Sequence, residues 1–173
     1  MSDLDYRTPT EADGAALSTM ARTSFAATFA TKIAPPEMSV YLDTAYGPTG
    51  HMQRDLGNPA ILWRAAFQDG VPVGYVKVMP MSLPYDAAVP GALEVRQLYV
   101  DEDVKGAGVA AALMAWAIDT ARMHDVGELY LAVFDDNERA VRFYARHGFA
   151  KVGRFDFVTG DQVHDDGIWR LAL

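Results

Sequence analysis

The sequence contains no cysteine among its 173 residues. This absence excludes disulfide bonds, cysteine-ligated zinc and a thiolate nucleophile. Long apolar runs are also missing, since stretches such as AAALMAWAI are far shorter than the roughly 20 residues that span a bilayer. The amino-terminal sequence MSDLDYRT lacks the basic and then apolar layout of a secretory signal. We therefore expect a cytoplasmic protein with no membrane partner.

Positive charge is scarce as well. The chain has 15 Lys and Arg residues against 23 Asp and Glu residues, which gives a net charge of -8 at pH 7. An acidic protein repels the phosphates of nucleic acids and attracts small cations. Its four histidines, His51, His124, His147 and His164, have no spacing typical of metal ligands. We expect neither a nucleic-acid partner nor a metal.

Strand-like segments alternate with helical ones along residues 1–173, and no repeat or linker divides them, so we expect a single domain. The pattern predicts a strand from Asp3 to Arg7, a helix capped by Thr10 and a second helix from near Pro36. An Asp-Gly pair at 69–70, between two apolar runs, predicts a β-hairpin. The second half reads as strand, helix, strand, helix, strand. This order predicts an α/β (α+β) fold, with a mixed sheet and helices on both faces.

The segment LEVRQLYV contains a break in its alternation. Leu93 and Val95 are apolar at odd positions, whereas Leu98 and Val100 are apolar at even positions. A β-bulge near Arg96 would restore the register, and bulges are common beside active sites. A strand buried on both faces would also explain the pattern, because its alternation carries no meaning. Both explanations stay open.

A glycine-rich segment, VKGAGVAA, separates this strand from a predicted helix over about 108–123. Backbone N–H groups at such a place can bind a phosphate, although for a glycine pair alone a tight turn before a packed helix is the favoured explanation. A Walker loop is excluded, because no Gly-Lys-Ser/Thr follows. A dinucleotide fingerprint matches at Gly106, Gly108 and Ala111, with Asp135 as the ribose-binding acid, but the polar DEDVK between strand and loop disfavours it.

Two motifs together resemble the GNAT superfamily of acyl-CoA-dependent N-acetyltransferases. The first is Lys105-x-x-Gly108-x-Ala110, which is similar to the pyrophosphate loop of that family, where Gln or Arg is usual in place of Lys105. The second is similar to the family's Asn-x-x-Ala, Tyr, Gly-Phe signature and consists of Asn137, Ala140, Tyr144, Gly148 and Phe149. The resemblance covers about the last half of the chain.

The resemblance implies the GNAT fold, with a mostly antiparallel sheet and a bulged central strand. It implies acetyl-CoA as co-substrate and transfer of the acetyl group to a primary amine by direct attack in a ternary complex. It also implies a set of cofactor-binding residues: the backbone of Leu98, Tyr99 and Val100 for pantetheine, the N–H groups of Lys105, Gly106, Ala107, Gly108, Val109 and Ala110 for the diphosphate, and Asn137, Ala140 and Tyr144 beside them.

Two catalytic residues are expected. The resemblance makes Tyr144 the general acid that protonates the leaving thiolate, although core packing is the simpler explanation for one aromatic residue at helical spacing. Glu94, on the polar side of the bulged strand, is the candidate base, acting directly or through water. It is equally explained as an exposed strand glutamate.

The acceptor is less well marked. The segments TSFAATFA, PEMSVYLDTAYG, VPVGYVKV and FDFVTGDQVHDDGIW resemble the PaiA branch of the superfamily, which acetylates spermidine and spermine. The acids Asp161, Asp165 and Asp166, together with Glu94, favour a small cationic amine such as a polyamine. Peptide N-termini or another small amine, a non-catalytic acyl-CoA-binding protein and a dinucleotide-dependent oxidoreductase remain alternatives. The sequence does not determine the oligomeric state, and a homodimer is one of the alternatives.

Overall fold

The computed structural model describes residues 4–173, which form a seven-stranded mixed sheet. The strands, in chain order, are β1 (Leu4–Arg7), β2 (Leu62–Gln68), β3 (Val71–Pro80), β4 (Leu93–Val100), β5 (Glu128–Phe134), β6 (Ala150–Thr159) and β7 (Gln162–Ala172). Their order in the sheet is β1-β2-β3-β4-β5-β7-β6. Neighbouring strands are antiparallel except β4 and β5, which are parallel. The predicted mixed, mostly antiparallel sheet is confirmed; Asp3, placed in its first strand, lies outside the described residues.

Five α-helices cover the two faces of this sheet within the described part of the chain. They are α1 (Gly14–Phe29), α2 (Pro35–Tyr46), α3 (His51–Leu56), α4 (Val109–Met123) and α5 (Glu138–Arg146). Helices α1, α2 and α3 share one hydrophobic core with one face of the sheet, and α4 and α5 share another core with the opposite face. The sequence pattern does not predict α3, because the glycines and proline at 47–50 are typical of a loop.

Local signals explain where several elements begin and turn. Thr10 and Asp13 form a reciprocal capping box on a short 3-10 turn that leads into α1. The β2–β3 hairpin turns at Asp69 and Gly70, which have φ angles of 50° and 81°. Positive φ at both positions is what a tight two-residue hairpin requires, so the predicted hairpin is confirmed.

Helix α4 is the largest contributor to the core that it shares with α5. Leu113, Met114 and Ala117 are each 0% exposed against the sheet. The first residue of α4, Val109, is also buried, and this fixes the position of the glycine-rich loop that precedes it. No helix among residues 4–173 is long and apolar enough to cross a membrane.

We predict that Leu113→Ala lowers the free energy of unfolding by about 2–5 kcal/mol, because it leaves a cavity between α4 and the sheet. Met123→Ala removes a long side chain of the same helix that is 75% exposed, and we expect a change within about 0.5 kcal/mol. Urea unfolding of both variants tests this. Similar losses in the two variants would contradict the packing described here.

Candidate active site

Strands β4 and β5 separate after a short stretch of pairing. Their parallel register includes three pairs, from Leu93↔Leu129 to Val95↔Leu131. Beyond Val95, β4 continues to Val100 paired only with β3, while β5 stays paired with β7 as far as Phe134. The two strands therefore enclose a gap in the middle of the sheet, and the β4 edge at 98–100 has no strand partner there.

A β-bulge in β4 lies at the start of this gap. Val95 pairs with Val78 and Gln97 pairs with Lys77, so Arg96 is an extra residue without a partner in β3. Apolar residues before and after the bulge pack into the same core beneath α4. The bulge suggested by the sequence is confirmed, and it turns both Arg96 and Gln97 toward the cavity described next.

A cavity of about 850 Å³ joins the two faces of the sheet at the gap. One end, the loop end, is lined by residues that precede α4 and by residues of α5. The opposite end, the aromatic end, is lined by residues of α1, α2, β5 and the β6–β7 hairpin. The lining of the loop end includes Lys105, Gly106, Gly108, Val109, Ala110, Asn137, Arg139, Ala140 and Tyr144, and that of the aromatic end includes Phe25, Phe29, Tyr41, Phe134, Phe157, His164 and Asp166.

The loop end offers backbone donors beside open space. Gly106 and Gly108 have φ angles of 89° and 81°, and a Cβ built on either would meet nothing within 4 Å. The N–H groups of Lys105 and Ala107 donate to the carbonyls of Glu102 and Val104, so the prediction that all six N–H groups of 105–110 face a phosphate is wrong. The four at Gly106, Gly108, Val109 and Ala110 have no acceptor among the described residues. They are suited to an anion.

Two cations accompany these donors. Lys105 forms an ion pair with Glu102. Its pKa is lowered by burial and by the nearby Arg139. Arg139 lines the same end of the cavity, although the sequence motifs did not include it. Its place in the first turn of α5 is a signal that the sequence offered, because a basic residue there is unfavourable next to the helix dipole unless an anion binds close by.

Asn137 caps helix α5. Its Oδ1 accepts a hydrogen bond from the backbone N–H of Ala140, at 3.2 Å, and both residues line the cavity. The carboxamide oxygen is therefore used by the helix, and the Nδ2 group is what remains for a ligand.

Tyr144 lies one helical turn after Ala140 on α5. Its ring packs against Phe143 and Phe149, with centroid distances of 5.4 Å and 6.1 Å. Burial raises the pKa of Tyr144 to about 12, and no described residue hydrogen-bonds to its hydroxyl. The side chain is therefore a neutral phenol at physiological pH that faces the cavity with a free proton to donate. Tyr144 therefore both packs against the core and lines the cavity.

Glu94 lies outside the cavity lining. The residue is 1% exposed, so it is not the exposed strand glutamate that the sequence allowed. Its carboxylate accepts hydrogen bonds from the backbone N–H groups of Ser82 and Leu83 and from the Ser82 hydroxyl, at 2.8 Å, 3.1 Å and 3.0 Å. The assignment of Glu94 as a base in direct contact with substrate is therefore not supported, because its oxygens hold the loop after β3.

The aromatic end combines stacked rings with one acid of the predicted set. Phe25 stacks on Tyr41 at 4.4 Å, and Phe157 meets Tyr41 edge-on at 5.7 Å. Asp166 lines the cavity beside them. Asp165 is exposed and paired with Arg154 at 2.5 Å. Asp161 lies in the turn between β6 and β7, outside the cavity lining.

Comparison with known proteins identifies the family of this fold. The Acetyltransferase (GNAT) family matches residues 27–149. The chain is 25% identical over 154 residues to an uncharacterized N-acetyltransferase of Lactobacillus delbrueckii subsp. lactis, covering 89% of this chain and 88% of the relative. It is also 30% identical over 74 residues to the spermine/spermidine N(1)-acetyltransferase of Bacillus subtilis, covering 42% of this chain and 48% of the relative.

A solved structure shares the whole fold. The crystal structure of PaiA N-acetyltransferase from Thermoplasma acidophilum, in complex with coenzyme A, superposes with a TM-score of 0.78 at 19% identity and with 99% of each chain covered. The dinucleotide-binding alternative is disfavoured as well. Its ribose-binding acid would be Asp135, but this carboxylate accepts a hydrogen bond from Lys151 at 2.6 Å and is not among the cavity-lining residues. The resemblance drawn from the two sequence motifs is confirmed: this chain belongs to the GNAT family and is an N-acetyltransferase.

Proposed function

We propose that the protein transfers the acetyl group of acetyl-CoA to a primary amine of a small cationic molecule, of the polyamine class, within a ternary complex. The observation that carries the proposal is the single cavity that joins four free backbone donors at the loop end to an aromatic and acidic end across the gap in the sheet. Because the cavity passes through the sheet, the two substrates can enter from opposite faces and meet inside it.

The loop end has the chemistry to hold coenzyme A. The N–H groups of Gly106, Gly108, Val109 and Ala110 bind the diphosphate in this proposal, with Lys105 and Arg139 adding positive charge. The edge of β4 at Leu98, Tyr99 and Val100 supplies unpaired backbone groups for the pantetheine amides. Asn137 adds one donor through Nδ2, and Ala140 offers a small surface beside it.

The chemistry needs an unprotonated amine, stabilisation of an oxyanion and a proton for the departing sulfur. The nitrogen lone pair forms the new C–N bond, which leaves a positive charge on the nitrogen. The C–S bond then breaks to release the thiolate, and the nitrogen loses its second proton, which replaces the one that Tyr144 gives to the sulfur. Backbone N–H groups beside the bulge in β4 stabilise the oxyanion as fixed dipoles. Tyr144 then gives its proton to the thiolate, since its phenol is neutral and without a protein partner.

The aromatic end supports a cationic acceptor. Aromatic faces attract ammonium groups, and the rings of Phe25, Tyr41 and Phe157 lie within one cluster. Asp166 adds a carboxylate to the same wall. The match to the B. subtilis spermine/spermidine enzyme supports the polyamine class over less than half of this chain. Arg96 is the opposing feature, because a cation in the same cavity would instead suit the backbone of a peptide substrate.

We expect Gly108→Glu to abolish the stabilisation that acetyl-CoA gives, because the new carboxylate enters the anion site. Saturating acetyl-CoA at 100 times its Kd should raise the wild-type Tm by about 5–10 °C. Gly108→Gln has the same size and the same strain at positive φ but no charge, so it is the matched control and should keep part of the shift. A full shift in Gly108→Glu, measured by thermal denaturation, would remove the loop from the cofactor site.

We expect Tyr144→Phe to lower kcat by about 10²-fold, because the ring stays and the proton donor is lost. The Tm shift with acetyl-CoA should be unchanged. Release of free thiol, followed with acetyl-CoA and a saturating amine, measures the effect. Wild-type turnover in Tyr144→Phe would mean that water protonates the thiolate.

We expect spermidine or spermine to give a higher kcat/KM than a monoamine of similar length, by about tenfold at low salt, because a remote ammonium can bind the rings and the acid. The advantage should shrink as salt rises, since screening weakens the charge interaction. An acceptor panel at low and high ionic strength, with peptides of free N-terminus included, tests this. A preference for peptides at every salt concentration would refute the polyamine class and keep the acetyltransferase. Binding of acetyl-CoA without turnover of any amine would refute the proposed function.

A further inference from the structure

The proposed acceptor must lose a proton before it can react. An alkyl ammonium has a pKa of about 10, so most of a primary amine reaches the protein protonated at neutral pH. A group at the aromatic end has to accept that proton, because the lone pair it frees forms the C–N bond. Glu94 lies outside the cavity lining and its carboxylate is bonded to Ser82 and Leu83, so a residue that lines the cavity is the better candidate for the acceptor of the proton.

Three carboxylates line the cavity, and two of them are engaged. Asp55 accepts a hydrogen bond from the buried Lys77 ammonium at 2.6 Å. Glu102 forms its ion pair with Lys105 at the loop end, away from the rings. The side chain of Asp166 makes no hydrogen bond and no ion pair with any residue of 4–173, and burial and neighbouring acids are what shift its pKa. It is the carboxylate of this cavity with both oxygens available to a ligand.

The position of Asp166 suits a proton acceptor. It lies on β7 opposite Phe134 of β5 and Phe155 of β6, and both of these phenylalanines line the cavity. Strand β5 forms one wall of the gap, so a single strand separates Asp166 from the place where the sheet opens. The residue is partly buried, and aromatic rings lie around it.

Neighbouring charges around Asp166 are largely paired with one another. The titratable and charged groups near it are Asp135 in the loop after β5, His164 and Asp165 on β7, Tyr41 on α2 and Arg96 on β4, together with Lys32, which follows α1 and lies over the ring of Phe134. Asp135 is paired with Lys151, Asp165 with Arg154 and Lys32 with Asp136. His164 shares a hydrogen bond with Thr159 through Nε2, at 2.8 Å.

The net effect of this environment is to weaken the acidity of Asp166. Burial, followed by the charges of Asp135 and Asp165, raises the pKa of Asp166 to about 7. A carboxylate with such a pKa accepts a proton at neutral pH far better than an ordinary aspartate.

We propose that Asp166 is the catalytic base that takes the proton from the acceptor ammonium. The N–H bond breaks, an O–H bond forms on the Asp166 carboxylate, and the freed lone pair attacks the thioester carbonyl; the proton then passes to solvent. This inference rests on the proposed function, because it requires an amine at the aromatic end.

The test compares Asp166→Asn with Asp165→Asn, its exposed neighbour on the same strand. With the best amine of the panel, Asp166→Asn should lower kcat by about 10²-fold. The wild-type rise in kcat/KM through about pH 7, where the Asp166 side chain ionises, should vanish in this variant and leave only the rise from the amine itself. Asp165→Asn should keep kcat within about twofold, because its ion pair is exposed. It should also keep the rise in kcat/KM, which should move to lower pH, because the charge of Asp165 adds to the raised pKa of Asp166. Both variants should keep the Tm shift with acetyl-CoA.

A second measurement does not depend on activity. The pKa of Asp166 is raised from 3.8 to about 7 on folding, so its protonated form stabilises the folded state and this contribution is lost as the pH rises from about 4 through about 7. Asparagine stays neutral throughout. The Tm of Asp166→Asn minus that of the wild type should therefore increase by at least about 3 °C between pH 5 and pH 8.

Several outcomes would overturn the inference and leave the proposed function standing. One is an Asp166→Asn enzyme with wild-type kcat and the same rise near pH 7. A second is a higher KM at unchanged kcat, which would make Asp166 a binding residue for the ammonium. A third is loss of the pH dependence in His51→Gln but not in Asp166→Asn, because His51 also lines the cavity. Wild-type protein that turns over no amine would refute the proposed function itself.

Discussion

The early end of pairing between β4 and β5 is the feature on which the site depends. Buried backbone N–H and C=O groups are costly when unpaired, so two adjacent parallel strands normally stay bonded along their length. Here each strand is held from its other side, β4 by β3 and β5 by β7, and the gap stays open without fraying either one. The unpaired edge of β4 is therefore a stable part of the fold. A ligand with its own amide groups is suited to pair with this edge.

Much of this arrangement could be predicted from local sequence. The slip of alternation between Val95 and Leu98 marked the bulge, and the Asp69-Gly70 pair marked the hairpin, because each depends on residues close together in the chain. The glycines at 106 and 108 marked the loop for the same reason, since their positive φ angles favour glycine wherever the loop occurs. Spacing alone did not decide between phosphate loop and tight turn. The second motif, some thirty residues later, favoured the phosphate loop.

The roles of the acids could not be predicted in this way. Glu94 became a buried anchor because Ser82 and Leu83 fold over it, and the irregular segment after β3 has no periodic pattern that would reveal this. Asp165 and Asp166 are adjacent in sequence, yet alternation along β7 exposes one and turns the other toward the cavity. Which of the two faces inward depends on the register with β5 and β6. Their sequence neighbours do not contain that information.

The cavity crosses the sheet, and this has a consequence for traffic through the enzyme. Residues at both of its ends are exposed: Gly108 and Arg139 on one face, Thr28 on the other. In the proposed function, each substrate therefore has its own entrance, acetyl-CoA at the loop end and the amine at the aromatic end. A site with a single entrance imposes an order, in which the last molecule to enter is the first to leave. Two entrances on opposite faces impose no such order, so under the proposed function we expect that either substrate can bind first.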